Sequence, residues 1–370
     1  MCHPTCGLET NLRRLKGNRN VRVITMAEVV GIEGKRGAYA ATLKICPRYV
    51  NENCTACGDC AKAVSIEIPN PYNYSLDKIK AAHLPHAMAY PQRYVLDPSV
   101  IGTPDADAAK DACKFGAIDL AMQGETVELN VGAVVWATGW KPYDAAKIQP
   151  YGYGRFPNVV TSVESERIAD PAGPTGGKLR RPSDGREAKN IAFIQCAGSR
   201  DENHLRHCSR ICCMASLKQT QYVREAHGDA AKSTIYYIDI RSIDRFEDFY
   251  QMVQRDSTVT FVKSKVAKIE QDANGDPVLH GVDTEGYHRY ATAHDLVVLA
   301  IGMEPEANGI NLPDDVVTDS SGFIEGSVDG GMVGAGSAAS PLDVNRAVQS
   351  ATGAALRAIK DIHQTAKEEA

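Results

Sequence analysis

The sequence predicts an α/β protein built from a pair of dinucleotide-binding-type domains, with a cysteine-rich segment inserted into the first. Three observations carry this. Residues 190 to 263 alternate strand and helix character: NIAFIQ, a helix from about Cys208 to His227, STIYYIDI, a helix over IDRFEDFYQMVQRD, and VTFVKS. That βαβαβ order is the sign of a parallel sheet. Two apolar runs, AVVWATG and DLVVLAIG, end in small-residue turns, as buried strands do before a close backbone approach. The eleven cysteines form three tight groups, at 2 and 6, at 54, 57 and 60, and at 196, 208, 212 and 213, with Cys46 and Cys113 as singles.

The elements follow in order. Residues 21 to 45 read as a meander of VRVIT, AEVVGIEG, the turn GKRG and YAATLKI, with the alternation of a half-exposed sheet. From Cys46 to about Gln123 the text becomes Pro-rich and strand-poor, and regular structure resumes at TVELNVGAVVWATG. Residues 46–122 therefore read as an insertion. Residues 140 to 188 read as a connector with one helix, SVESERIA. After the βαβαβ unit, KVAKIEQ, PVLHGVD and YHRYATA are strand-like and lead into the buried strand DLVVLAIG. GGMVGAGSAAS then feeds the helix PLDVNRAVQSATGAALRAIKDI. The expected domains are 1–45 with 123–188 and 315–370, the insertion 46–122, and a Rossmann-like domain at 189–314.

Composition narrows the function. With 370 residues, 43% hydrophobic and 24% charged, the chain is long enough for two or three domains. Its 41 Lys and Arg against 46 Asp and Glu give a formal charge of -5, so no global positive field recruits nucleic acid or anionic lipid. The longest apolar run, near Val131 to Ala137, falls far short of the roughly 20 residues of a membrane span. The opening MCHPTCGLETNLRRLKG lacks the apolar core of a secretory signal, so a cytoplasmic location is expected. An odd number of clustered cysteines in that compartment points to metal rather than disulfides.

CTACGDC sets Cys54-x2-Cys57-x2-Cys60, the three-ligand core of a ferredoxin run. The fourth position of that run is Val64, and the next cysteine is Cys113 in DACKFGAIDL. The insertion thus reads as a degenerate ferredoxin that retains one [4Fe-4S] cluster on Cys54, Cys57, Cys60 and Cys113. The alternative is structural zinc, which usually presents two separated CxxC pairs. The second group is Cys196-x11-Cys208-x3-Cys212-Cys213, at a strand end and the start of the next helix. Doubly wound sheets bind ligands in that crevice. Thiols and His207 stand where a G-x-G-x-x-G turn would be, which argues against a nicotinamide dinucleotide there. Reduced thiols are the alternative. Cys46 is expected to be a free thiol. Cys2 and Cys6, around His3, fit a redox pair, a partial metal site or a remnant.

A hydrophobic strand, then A-[TI]-G, then x-x-P, at Ala137–Gly139 and Ala300–Gly302, resembles the return strands of thioredoxin-reductase-type flavoproteins. Together with CHPTCGLE, PRYVNENCTACGDCAKAV, IPNPYNY, LPHAMAYPQRYVLDPS, FIQCAGSRDENHL and PLDVNRAVQSATGAA, the chain from residue 2 to about 360 resembles the A-subunit family of heterodisulfide reductase. The resemblance is nearest to the flavoprotein A-subunit of the quinone-interacting membrane-bound oxidoreductase complex of sulfate reducers. It implies FAD, [4Fe-4S] clusters at both cysteine groups, and electron transfer between the menaquinone pool and adenylylsulfate reductase. The implied partners are a haem-bearing membrane subunit, which would hold the chain at the inner membrane, together with a second flavin and iron–sulfur subunit. By motif, flavin contacts fall to Val29, Thr138, Gly139, Gly336, Ser337, Gln349 and Ser350. Relatives begin with a strand, a G-x-G-x-x-G turn and a helix ahead of the CHPTC segment, so the FAD-type domain is expected to lack its N-terminal βα here. Two other functions fit the same residues: a heterodisulfide-reductase-type bifurcation component, or a flavin-free cluster-binding scaffold.

Overall fold

The structure, a computed structural model, describes residues 5–86, 88–243 and 245–368. The chain divides into two compact units, Met1–Glu33 with Ala40–Asn130, and Gly34–Tyr39 with Val131–Ala370. This division follows other lines than the three segments expected from sequence: most of 1–45 falls with the insertion, and 131–188 and 315–370 fall with 189–314.

In the first unit, helix α1 spans Thr5–Gly17 and places Arg14 and Lys16 in its last turn, where the helix dipole favours cations. The strands Ala27–Lys35, Ala38–Ile45 and Glu125–Val131 form one sheet in that order. The chain leaves this sheet at Ile45 and returns beside the same strand at Glu125, so residues 46–124 are an excursion from a single edge. VRVIT, expected as a strand, has no ladder. Val21 and Val23 are 39% and 43% exposed, so its alternation has no apolar surface to cover. Within the excursion, helices α2 (Asp59–Ala63) and α3 (Pro104–Ala112) pack on each other over Val50, Val64, Leu96, Val100 and Ile118. Asp105 clamps them, accepting the N–H of Ser65 and of Ile66 at 2.7 Å each. The Ile66 bond foremost holds its carboxyl below the usual carboxylate range.

The second unit is organised by five parallel strands in the order Val159–Thr161, Leu296–Ile301, Asn190–Ala197, Lys232–Tyr237, Val259–Lys263. Helices α4 (Ser162–Ala169), α5 (Cys212–His227) and α6 (Phe246–Gln254) connect them. Every residue of Leu296–Ile301 is buried, as a central parallel strand requires. Val159–Thr161 is a strand where the sequence shows only a connector. Its apolar run is just three residues long, and the capping box of Thr161 and Glu164 starts α4 at once. KVAKIEQ, PVLHGVD and YHRYATA become the antiparallel strands Lys268–Gln271, Pro277–Asp283 and His288–Ala293. A further sheet runs Val316–Thr318, Ile324–Ser327, Met332–Gly334, Val134–Trp136, its last pair parallel, and α7 (Val344–Glu368) follows it. Among the described residues, no helix is long and apolar enough to cross a membrane. A mixed α/β architecture, with a five-stranded parallel sheet beside separate antiparallel sheets, is the fold.

The core of this unit can be probed at two positions. Leu299 is fully buried, so Leu299→Ala should cost about 2–5 kcal/mol by the cavity it leaves, read as a lower urea midpoint at an unchanged slope. His294 is 2% exposed and neutral, donating from Nδ1 to Asn190 Oδ1 and accepting the Tyr236 hydroxyl at Nε2. Burial pushes its pKa from 6.5 down to about 4. The unfolded chain then takes up the proton first, so stability falls as pH drops from about 6.5 to about 4, by about 3 kcal/mol in all. Urea titrations across that window should show the slope in the parent and its loss in His294→Gln; equal slopes would refute it.

Candidate functional site

The structure builds one cysteine centre in each unit. In the first unit, Cys54, Cys57, Cys60 and Cys113 line a single cavity walled by Val50, Tyr94, Phe115 and Ile118. Local backbone makes this possible. Ala56 and Gly58 both adopt left-handed conformations, φ +57° and +83°, and coil the loop so that thiols three residues apart face one space. A Cβ on Gly58 would approach the Tyr94 hydroxyl at 3.0 Å. Cys60 sits on α2 and Cys113 caps α3, so the packing of those helices sets the distance between the loop and the fourth cysteine. The N–H groups of Ala56 and Ala117 donate to Cys54 Sγ at 3.4 Å and to Cys113 Sγ at 3.3 Å. Burial, helped by the three neighbouring sulfurs, pushes the Cys60 thiol up to about 11.

The second centre is built from the parallel sheet. Cys196 lies near the end of strand Asn190–Ala197, at φ +56°, where the register against Leu296–Ile301 shifts by one residue. The sequence pattern sets it just past the strand end; the bulge keeps it inside the strand and turns it out of the alternation. Cys212 and Cys213 open α5, which no side chain caps, and Cys208 lies four residues before. Cys212 is buried, donating from Sγ to Ile301 O at 3.4 Å, and Cys213 donates to Asp239 O at 3.8 Å. Arg210 N–H donates to Cys208 Sγ at 3.4 Å. Burial raises the thiols of Cys196, Cys212 and Cys213, the last to about 11, and each feels the charge of Cys208.

The loop between Cys196 and Cys208 is stitched to the end of the central strand. Ser209 Oγ accepts Met303 N–H at 2.8 Å and shares a hydrogen bond with Ser199, while His207 donates from Nε2 to Met303 O. Gly302 is needed there, because a Cβ would stand 2.5 Å from Ser199 Oγ and 2.6 Å from Leu205. Sequence reasoning missed Arg200 and Asp239, which pair with each other at 2.5 Å beside Cys196. Asp239 is far from Cys196 in the chain, and no spacing rule links them.

The flavin candidates divide. Thr138 and Gly139 follow strand Val134–Trp136; Gly336 and Ser337 follow its parallel neighbour Met332–Gly334, and Ala335 N–H donates to Trp136 O between them. Ser350 on α7 accepts Gly336 N–H at 3.0 Å, which binds the helix to that turn. Thr138 Oγ1 is buried without a partner among the described residues, and Gly139, at φ +81°, has open space where a Cβ would stand. Small residues and an unspent hydroxyl at two parallel strand ends fit a planar ring system. Gln349 is exposed on α7, and Val29 belongs to the sheet of the first unit. Cys46 is an exposed free thiol; Cys2, His3 and the side chain of Cys6 lie outside the described residues.

Both four-thiol centres have the donor set of a cubane, one thiolate for each iron corner. Among the described residues, no group of three or more His, Cys, Asp or Glu side chains is placed to hold a metal ion. The first centre gathers its thiols around a cavity instead.

Fold and site together define an α/β protein of two compact units, with one group of four cysteines in each. The chain is 38% identical over 352 residues to the iron-sulfur A-subunit of CoB–CoM heterodisulfide reductase from Methanocaldococcus jannaschii, covering 91% of this chain and 53% of that one. It is 37% identical over 312 residues to the A-subunit of the ferredoxin:CoB-CoM heterodisulfide reductase of Methanosarcina mazei, covering 82% and 39%. With the A-subunit of the H2:CoB-CoM heterodisulfide, ferredoxin reductase of Methanothermobacter marburgensis it shares 33% over 353 residues, covering 92% and 53%. Over the stretch it aligns, the chain belongs to the A-subunit family of heterodisulfide reductase. It spans about two fifths to one half of the length of these relatives. No family model matches it. Solved thioredoxin reductases of T. acidophilum and Lactococcus lactis align at TM-scores of 0.40 and 0.42, with 14% and 13% identity, covering 71% and 77% of this chain and 79% and 86% of theirs.

Exposure orders the thiols. In folded, metal-free protein, iodoacetamide should modify the exposed Cys46 and Cys57 first and the buried Cys212, Cys213 and Cys60 last, by peptide mass spectrometry. Early modification of Cys212 would refute the packing of the second centre.

Proposed function

We propose that this chain is the flavin and iron–sulfur electron-transfer part of a heterodisulfide-reductase-type oxidoreductase that works within a multi-subunit complex. The observation that carries it is the gathering of Cys54, Cys57, Cys60 and Cys113 around one cavity, at the spacing of a ferredoxin run. In this reading residues 46–122 are the ferredoxin-like insertion and 189–314 the Rossmann-like domain, with 1–45, 123–188 and 315–370 forming the FAD-type domain. Cys196, Cys208, Cys212 and Cys213 hold the second [4Fe-4S] cluster.

When bound, a flavin exchanges electrons in pairs with one partner and singly with another. The chain's own residues supply position and electrostatics. Thr138 Oγ1 offers a hydrogen bond that no described residue takes up, and Ser350 fixes the turn at Gly336 and Ser337. The N–H groups on Cys54 and Cys113 stabilise thiolate charge, and the apolar walls of the cavity exclude water. The relatives' names favour a heterodisulfide-reductase-type component. A second reading places the chain between menaquinone and adenylylsulfate reductase, with a haem-bearing membrane subunit holding it at the inner membrane beside a second flavin and iron–sulfur subunit. Its support is the run of matching segments, among them IPNPYNY and LPHAMAYPQRYVLDPS.

After anaerobic purification, the chain should carry about eight iron and eight sulfide, the content of two [4Fe-4S] clusters, with one flavin. Cys113→Ala should lose about half of the iron and one of two reduced-state paramagnetic signals. Unchanged iron in that variant, or zinc in place of iron, would overturn the assignment, and iron without flavin would leave a cluster-binding scaffold.

A further inference from the structure

Arg200 occupies an unusual place beside the second centre. It stands at φ +55°, its N–H donating to His207 O at 3.2 Å, and this backbone brings its guanidinium back over Cys196. Arg200 Nη1 lies 4.0 Å from Cys196 Sγ and 2.5 Å from Asp239 Oδ1. Asp239 follows strand Lys232–Tyr237 and meets the centre twice, through its carboxylate to Arg200 and through its carbonyl to Cys213 Sγ. The other charges nearby are Arg241, 3.6 Å from Asp239, and the pair Lys265–Asp201 at 2.7 Å. Side-chain exposures of 23% and 45% make Arg200–Asp239 a half-exposed pair, a class that adds little to stability. The cost of a left-handed backbone at a non-glycine residue is not offset by such a pair. A cation at 4.0 Å from a sulfur in a partly dry site acts on that sulfur's charge far more strongly than in water.

We propose that Arg200 is a positioning residue that, held beside Cys196 by Asp239, sets the reduction potential of the second cysteine centre. The proposal rests on the reading of Cys196, Cys208, Cys212 and Cys213 as cluster ligands. Reduction adds one electron from the reductant and one negative charge to the centre, with no bond made or broken and no proton moved. The guanidinium stabilises that added charge and so raises the potential, while Asp239 partly offsets the guanidinium. Removing the cation shifts the potential down, and neutralising its counter-ion shifts it up.

The test is a mediated dithionite titration of the whole chain, kept anaerobic and followed by electron paramagnetic resonance. The signal that survives Cys113→Ala is assigned to the second centre. Arg200→Gln should move the midpoint of that signal to more negative potential, Asp239→Asn should move it to more positive potential, and Arg200→Lys should restore most of the parent value. The first centre's midpoint serves as internal control and should stay fixed. An unshifted midpoint in Arg200→Gln at full iron content overturns the proposal. So do equal shifts in Arg200→Gln and Arg200→Lys, which mark a packing role. Should Arg200→Gln fail to fold, the opposite shift in Asp239→Asn decides, and its absence counts against the proposal. A parent chain with only about four iron refutes the underlying cluster assignment before any potential is read.

Discussion

A one-residue shift in the central parallel ladder governs the second unit. Between Ile194 and Ala197 one strand advances three residues while Leu299 to Ile301 advances two. The extra residue leaves the alternation, and Cys196 turns to φ +56° at the carboxyl end of the sheet. Without the bulge, Cys196 would point with Ile194 and Ala192 into the core cluster that includes Val297 and Leu299. The bulge also brings the following loop against Gly302, where only glycine leaves room for Ser199 and Leu205. Arg200, His207 and the cysteines at the head of α5 take their places from that contact.

The two cysteine centres solve the same problem by different means. The first is local: three thiols come from one coiled loop, and only Cys113 arrives through the packing of α2 on α3. The second draws on a strand end, a loop and a helix start, with Asp239 added from the segment that follows strand Lys232–Tyr237. Burial raises the thiol pKa of Cys60 in the first and of Cys196, Cys212 and Cys213 in the second. In the proposed role, the charge around buried sulfur is balanced by the N–H donors of the first centre and by the Arg200–Asp239 pair beside Cys196 in the second.

The relatives give the family without dictating the whole activity. The matched stretch of this chain is about half of each longer protein, so their substrates and partners bear on it only through the residues that are present. Those residues favour a redox protein: two four-thiol centres, and two parallel strand ends meeting at Thr138 and Gly336 beneath the first turns of α7.

The sequence by itself determined the βαβαβ order, the buried strand DLVVLAIG and the two cysteine groups, because periodicity and ligand spacing are properties of short stretches. It also marked residues 46–122 as an insertion by their change of texture. It misread VRVIT, whose alternation finds nothing to cover, and passed over Val159–Thr161, whose three residues become a strand only beside Val297–Leu299. Tertiary structure alone decided that Cys196 sits on a bulge, that Gly302 is a packing requirement, and that Asp239 stands across from Arg200. The reason is physical: strand register and loop docking are fixed by contacts between residues far apart in the chain, and no local pattern records which distant partner each will meet.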